Sequence, residues 1–215
     1  MNLFSNKEAL THISIPEKFS LWNKPLESSP YQPFPNLEGF RIFKDATNTP
    51  KALSFEDQGG HSYELVIKQP DGYIPKLGLA LTPLVESSVM GKRVLDIGTG
   101  ETGLLAIHAA THGATHVVGI DVDAEAVKWA NFNGEINKLD QIRWEAGNLF
   151  PSNPETPFDV IVSNPPQMPM TETSTHDSGG FNGREIIEKI IEGAPSYLAE
   201  GGQICMIIMD FLGVD

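Results

Sequence analysis

The sequence predicts an α/β fold: a doubly wound, mainly parallel sheet preceded by a small irregular or β-type N-terminal extension. Three observations predict it. Beyond Gly91, apolar runs of strand length alternate with helical patterns. The first of those runs leads straight into a glycine array that opens a helix. Before about residue 72, repeated prolines bar long helices. With 215 residues and 40% hydrophobic content, the chain can bury one sizeable core, or one core with a small appendage. The reading divides it into an extension, residues 1–75, and a main domain, residues 76–215.

The elements follow in order. Pro16, Pro25, Pro30, Pro33, Pro35, Pro50 and Pro70 punctuate the extension, and two strand-like patches, GFRIFKDATN and HSYELVIKQPDGY, flank the turn-rich EDQGG. RVLDI (Arg93 to Ile97) reads as a buried strand, Gly103 to Ala110 as a helix, and HVVGID (His116 to Asp121) as the next strand. Asp123 caps a helix running to about Gly134, on which Trp129 and Phe132 pack toward the sheet. QIRWEA (Gln141 to Ala146), FDVIV (Phe158 to Val162) and QICMIIM (Gln203 to Met209) supply three further strands. Before the last, Ile186, Ile187, Ile190 and Ile191 recur at helical spacing until Pro195 breaks or restarts the helix. The single cysteine, Cys205, reads as a buried inert thiol and excludes an intramolecular disulfide.

Charge narrows the partners. Lys plus Arg number 15 and Asp plus Glu 28, so the formal charge is 15 − 28 = −13, which opposes broad attraction to nucleic acid or an anionic membrane. The amino terminus lacks a signal-type apolar core, and no apolar run approaches the ~20 residues that span a bilayer. A soluble, cytoplasmic protein with no membrane partner is expected.

In VLDIGTGETG, Gly98, Gly100 and Gly103 form GxGxxG after a strand and at a helix start, where free amides can face a ligand. Asp121 ends the second strand, 121 − 96 = 25 residues after Asp96, where a carboxylate can accept from both hydroxyls of a ribose. Asp96 distinguishes cofactor classes. A carboxylate two residues before the first glycine would repel a pyrophosphate, and it suits a cationic ligand instead. These segments resemble the class I S-adenosylmethionine-dependent methyltransferases, VLDIGTGETG their first motif and VVGIDVD their second. The resemblance implies a Rossmann-like domain with S-adenosylmethionine as cofactor. Gly98, Thr99, Gly100 and Gly103 would then lie under its methionine portion, Asp96 would organise that loop, and Asp121, with Val122 beside it, would hold the ribose. In EAGNLF, Asn148, followed by Leu149, stands where the family often has an aspartate that accepts from the adenine amino group; an amide oxygen can accept the same bond.

The stretch DVIVSNPPQMP runs from the fourth strand into Asn164, Pro165, Pro166 and Gln167 at the rim where this fold binds ligands. An asparagine oxygen and the following carbonyl, held by proline's fixed φ, offer two acceptors a few ångströms apart, which suits an NH2 group on a planar nitrogen. Binding both hydrogens directs that nitrogen at a methyl donor, so alignment supplies the catalysis. NPP followed by an aromatic is the signature of the family's amino-methyltransferases, and the chain is most similar to the HemK/PrmC-like group, whose resemblance implies methylation of a glutamine side-chain amide in a release factor or a ribosomal protein. Asn164 and the Pro165 carbonyl would be the acceptors, with Pro166 rigidifying the turn, Gln167 completing the catalytic segment, and Asn164 also touching the cofactor. Gln167 departs from the pattern by replacing the aromatic. Two alternatives stay open: methylation of an exocyclic amine in ribosomal RNA, whose guanine methyltransferases the strand-like N-terminal segment is similar to, and a methyltransferase-like fold that binds without turnover.

Other candidates are weaker. His108 and His112, four apart on the first helix, read as surface or helix-end histidines, and no metal ligand is assigned. His176 and Asp177 lie in a loop that could close over substrate, and Tyr73 and Lys76 could line the mouth; DGYIPK resembles the family's substrate-side loop. The family sheet has seven strands, while this chain stops at Asp215, so its last two strands are expected to be missing. An apolar border strand left bare is an aggregation hazard. Either the chain is a fragment, or the amino-terminal segment or a second copy of the chain is expected to cover it.

Overall fold

The computed structural model describes residues 39–69, 74–152, 156–170, 177–209 and 212. The prolines before Phe40, Pro70, Tyr73 and His176 lie outside the described residues. Two sheets are present among those described.

The first is an antiparallel meander of β1 (Phe40–Lys44), β2 (Pro50–Glu56) and β3 (Ser62–Val66). Sequence reading found β1 and β3 and missed the central strand. β2 opens on Pro50 and carries only a short apolar alternation, yet Ala52, Leu53 and Phe55 are buried between its neighbours. The free edge of β3 is closed by side chains. Asn133 and Asn137, one turn apart on a helix, each accept from and donate to its backbone: Val66 N to Asn133 Oδ1 at 2.8 Å, and Glu64 N to Asn137 Oδ1 at 2.8 Å. Two amides thus take the place of a fourth strand.

α1 (Lys76–Val89) was also unanticipated, and Pro83 sits inside it. Proline has no N–H for the carbonyl of Leu79, but Thr82 Oγ1 donates to that oxygen at 2.8 Å, so the break in the ladder is repaired locally. The remaining elements are β4 (Arg93–Ile97), α2 (Leu104–Thr111), β5 (His116–Asp121), α3 (Ala124–Ile136), β6 (Ile142–Ala146), β7 (Phe158–Ser163), α4 (Glu185–Gly193), a 3-10 turn at Ala194–Ser196 around Pro195, and β8 (Leu198–Met206). Asp123 caps α3 by accepting from Glu125 N at 2.9 Å, as the sequence predicts.

These strands form a wholly parallel sheet in the order β6-β5-β4-β7-β8, with helices on both faces. The pleat divides β4. Val94 joins the core shared with α1, α2 and the meander, whereas Leu95 and Ile97 join the opposite cluster with Ile190 of α4. The meander is therefore continuous with the domain core. β8 is the outer strand, and nothing among the described residues pairs with its far side. The expectation that the N-terminal segment covers it is corrected for the described part, residues 39–69: that part lies against α2 and α3 because its apolar face and the edge of β3 find partners there. No helix among the described residues is long and apolar enough to cross a membrane.

Candidate active site

The loop after β4 is built by backbone geometry. Gly98 and Gly100 take φ of +72° and +64°, a region that L side chains disfavour, and a Cβ on either would meet only open space. Backbone conformation, and not crowding, selects glycine at both. The amides of Gly98 and Thr99 both donate to Ile120 O, at 2.9 and 3.0 Å, tying the loop to the end of β5. Gly103 differs. Its φ is +63°, but an added Cβ would lie 2.6 Å from the Trp144 ring, and it does not line the cavity described below. It lets the start of α2 pack on Trp144, whose indole also rests against Gly119 and Gly134. Sequence reading gave Trp144 no such role.

Two carboxylates organise this loop. Asp96 is buried; its Oδ2 accepts from Thr99 Oγ1 at 2.7 Å and from Ala106 N at 3.0 Å, while Oδ1 is buried without a partner. Burial raises its pKa to about 7, against the lowering effect of those two hydrogen bonds. Asp121 accepts from Gly100 N through Oδ2 and from Asp123 N through Oδ1, both at 2.9 Å, and each oxygen keeps a further lone pair. Beyond β6, Gly147 N donates to Asp121 O at 2.9 Å and leads into Asn148 and Leu149. Leu149 holds φ of +63°, a costly conformation for a branched side chain. Phe150, stacked on Tyr197 with centroids 4.5 Å apart, anchors the residue that follows it.

Register brings the second motif to the first. In the β4–β7 pair Ile97 lies opposite Ser163, and Ser163 Oγ donates to Ile97 O at 2.8 Å. Gly98 and Asn164, 66 residues apart, thus leave adjacent strands side by side. Asn164 Oδ1 is buried and has no hydrogen-bond partner. The Gln167 amide is committed within the protein: Nε2 donates to Pro165 O at 3.2 Å and Oε1 accepts from Met209 N at 2.8 Å. It braces the turn against the chain beyond β8 and leaves the Pro165 carbonyl one further lone pair. Met168 N donates to Asp177 O at 2.8 Å and Gly179 N to Met168 O at 2.9 Å, folding the segment after the motif back so that Asp177 joins the wall.

One cavity of about 540 Å³ collects these groups. Asp96, Gly98, Thr99, Gly100, Asp121, Val122, Asn148, Leu149, Asn164, Pro165, Pro166 and Gln167 all line it, with Val122 exposed at its rim. Sequence reading missed Ile186, Ile190 and Met209, which reach the cavity only through tertiary packing; Glu101 and Met168 line it as neighbours of the two motifs. Lys76 begins α1 and does not line it. Among the described residues the lining carries five carboxylic side chains, Asp96, Glu101, Asp121, Asp123 and Asp177, and no Lys, Arg or His. Such a wall favours a cation and repels a phosphate.

His108 and His112 stand at the helix end as expected, in the last turn and at the C-cap of α2, but they are buried and not surface residues. The meander covers them, leaving 0% and 6% of each exposed. His108 Nδ1 lies 2.9 Å from the Tyr63 hydroxyl and Nε2 3.0 Å from Glu86 Oε1; burial pulls its pKa down to about 4.

Comparison with known proteins follows the same lines. Residues 79–215 match the family described as methyltransferase small domain. A candidate protein N5-glutamine methyltransferase of Methanocaldococcus jannaschii is 39% identical over 142 residues, covering 63% of this chain and 70% of that one. The release factor glutamine methyltransferase of Gloeobacter violaceus is 34% identical over 136 residues, covering 57% of this chain and 47% of its own. Among solved structures, the T. thermophilus 16S rRNA N2 G1207 methyltransferase in complex with AdoMet and guanosine superposes with a TM-score of 0.51 at 25% identity, covering 69% of this chain and 39% of that one. The chain thus spans about half or less of the last two.

Proposed function

The chain belongs to the methyltransferase small domain family, and from that premise we propose that it transfers the methyl group of S-adenosylmethionine to the side-chain amide nitrogen of a glutamine in a protein. The cavity fits that cofactor on three counts. Its acidic wall, free of cationic side chains among the described residues, suits a sulfonium and an ammonium. The open glycine loop admits close backbone approach. Asp121 and Asn148 keep acceptor capacity for ribose hydroxyls and an adenine amino group. When bound, the cofactor supplies an electrophilic methyl group.

The observation that carries the substrate reading is the unpartnered Asn164 Oδ1 at the end of β7, beside the glycine loop. A buried acceptor left unpaired costs about 1–3 kcal/mol, so it marks a place meant for a donor. A primary amide brings two. One hydrogen goes to Asn164 Oδ1 and the other to the remaining lone pair of Pro165 O, which fixes the plane of the amide and the direction of its nitrogen. Conjugation with its carbonyl makes an amide nitrogen a weak nucleophile, so orientation has to supply most of the rate. The nitrogen loses a proton to water once the new bond forms, and no side-chain base is required. Gln167 keeps the Pro165 carbonyl in place and offers no aromatic face for a nucleobase, which favours a protein amide over RNA.

Residues 1–75 carry substrate recognition in this reading. Support comes from the ties between the meander segment and the cofactor loop: Asn133 Nδ2 bonds both Val66 O and Thr102 O, and Lys68 pairs with Glu101 on the cavity wall at 2.8 Å. Release factors and ribosomal proteins of the cytoplasm are the proposed partners. Incubation with methyl-labelled cofactor and, separately, release factor, ribosomal protein and ribosomal RNA tests the reading. Label on a glutamine side chain supports it; label confined to RNA, or no label in any fraction, overturns it.

A further inference from the structure

Apart from the cavity, one cluster gathers metal-ligating side chains from three separate elements. Three of the four histidines among the described residues, His61, His108 and His112, meet Asp57 and Glu86 where the β2–β3 turn packs on the end of α2. Two overlapping trios have ligand atoms mutually within 4.8 Å: Asp57, His61 and His112, and Glu86, His108 and His112.

The hydrogen bonds choose between them. His112 Nδ1 lies 2.8 Å from His108 O, and a carbonyl only accepts, so Nδ1 carries the proton. In the neutral ring, Nε2 then turns a lone pair toward Asp57 Oδ2 at 3.3 Å and Glu86 Oε1 at 3.9 Å. Acceptor faces acceptor in a buried place. A divalent ion placed between these lone pairs gives each of them a partner. His108 needs no such help: Tyr63 and Glu86 already satisfy both its nitrogens.

We propose that Asp57 Oδ2, His61 Nδ1 and His112 Nε2 bind one zinc ion, which staples the β2–β3 turn to the end of α2. Asp57 Oδ2 lies 2.9 Å from His61 Nδ1 and 3.3 Å from His112 Nε2, close to the roughly 3.3 Å between donors that each sit ~2.0–2.1 Å from one tetrahedral ion. Outer-shell partners are in place as well. His112 Nδ1 donates to a backbone carbonyl, and Asp57 Oδ1 accepts from His61 N at 2.8 Å, which fixes both ligands in orientation. His61 is partly exposed and gives the ion an entry path; on binding through Nδ1 the ring takes the tautomer whose proton sits on Nε2, so it stays a neutral ligand. Glu86 Oε1 or a water supplies the fourth donor. Asp57 and His112 are 55 residues apart, so the ion would join the meander to the domain and hold the Lys68–Glu101 contact at the cavity wall.

The test uses the full chain, stripped with a chelator and titrated with zinc chloride alone by calorimetry and thermal denaturation. Expected are one ion per chain and a Tm that rises by a few degrees with zinc and falls again with chelator. His61→Gln, on the exposed side of the cluster, and Asp57→Asn, which keeps an oxygen for the His61 amide, should each weaken binding by at least the ~10–100-fold that loss of an outer-shell partner costs, with far-UV circular dichroism unchanged. Absence of zinc uptake by the unmodified chain, or uptake that neither substitution weakens, overturns the site.

Discussion

Asp96 couples the stability of the domain to pH, and replacing it with asparagine should remove that coupling. Its carboxyl is buried, 1% exposed, with a pKa near 7 in the folded chain against a reference of 3.8. The sign follows from proton binding. Between those values the unfolded chain has lost the proton that the folded chain retains, so stability falls as pH rises. The contribution is fully present below about pH 4, and it is lost by the time pH passes 7. A difference of about three units at ~1.36 kcal/mol each gives about 4 kcal/mol, a large share of the roughly 5–15 kcal/mol that holds a typical domain. Asparagine keeps one oxygen to accept from Thr99 Oγ1 and Ala106 N and carries no charge to bury. Chemical denaturation of both proteins at intervals from pH 4 to 8 measures the effect, since every other titrating group is common to both and cancels in the difference. The variant should gain on the unmodified chain as pH rises, with a slope of about 1.4 kcal/mol per unit in mid-range. A difference that stays constant across this range would refute the reasoning, because it would mean that Asp96 does not change its protonation there.

Other perturbations probe the site more locally. Asn164→Ala should retain S-adenosylmethionine binding within a few-fold in calorimetry and lose on the order of 100-fold in methyl transfer, since it removes an orienting acceptor and leaves the cofactor contacts. Full activity in that variant would sink the acceptor role. Asp121→Asn should weaken cofactor binding about 10–100-fold, the equivalent of one charge-assisted hydrogen bond. Gly103→Ala combines a left-handed φ with a Cβ 2.6 Å from Trp144 and should cost about 2–5 kcal/mol in denaturant unfolding. Adding Trp144→Leu should recover the crowding share of that loss and leave the backbone share.

The elements that sequence reading placed are those whose signal is local. β4 and β5 were bounded to the residue because each is an apolar run closed by a turn-forming motif. The glycine loop and Asn-Pro-Pro were legible for the same reason: a positive φ and a fixed φ each leave their mark on single residues. β2 and α1 were not legible. A proline stands at the head of one and inside the other, and the compensations, a neighbouring strand on each side and the Thr82 hydroxyl on Leu79 O, are invisible in a local window. The burial of the histidines was hidden for a similar reason. Nothing along α2 covers His108 and His112, and Tyr63, Asp57, His61 and Glu86 reach them only across the packed meander and α1.

By itself, the sequence determined the class of fold and the chemistry available at two turns, because periodicity and backbone restriction act over a few residues. Tertiary structure alone decided that these turns meet. β7 pairs with β4 and not with β6, its predecessor among the strands in the chain, so Ser163 comes to lie beside Ile97 and the Asn164 oxygen opens next to Gly98. That neighbourhood depends on which apolar faces bury together across 66 residues of chain, a choice made by the free energy of the whole core and written in no short segment of it.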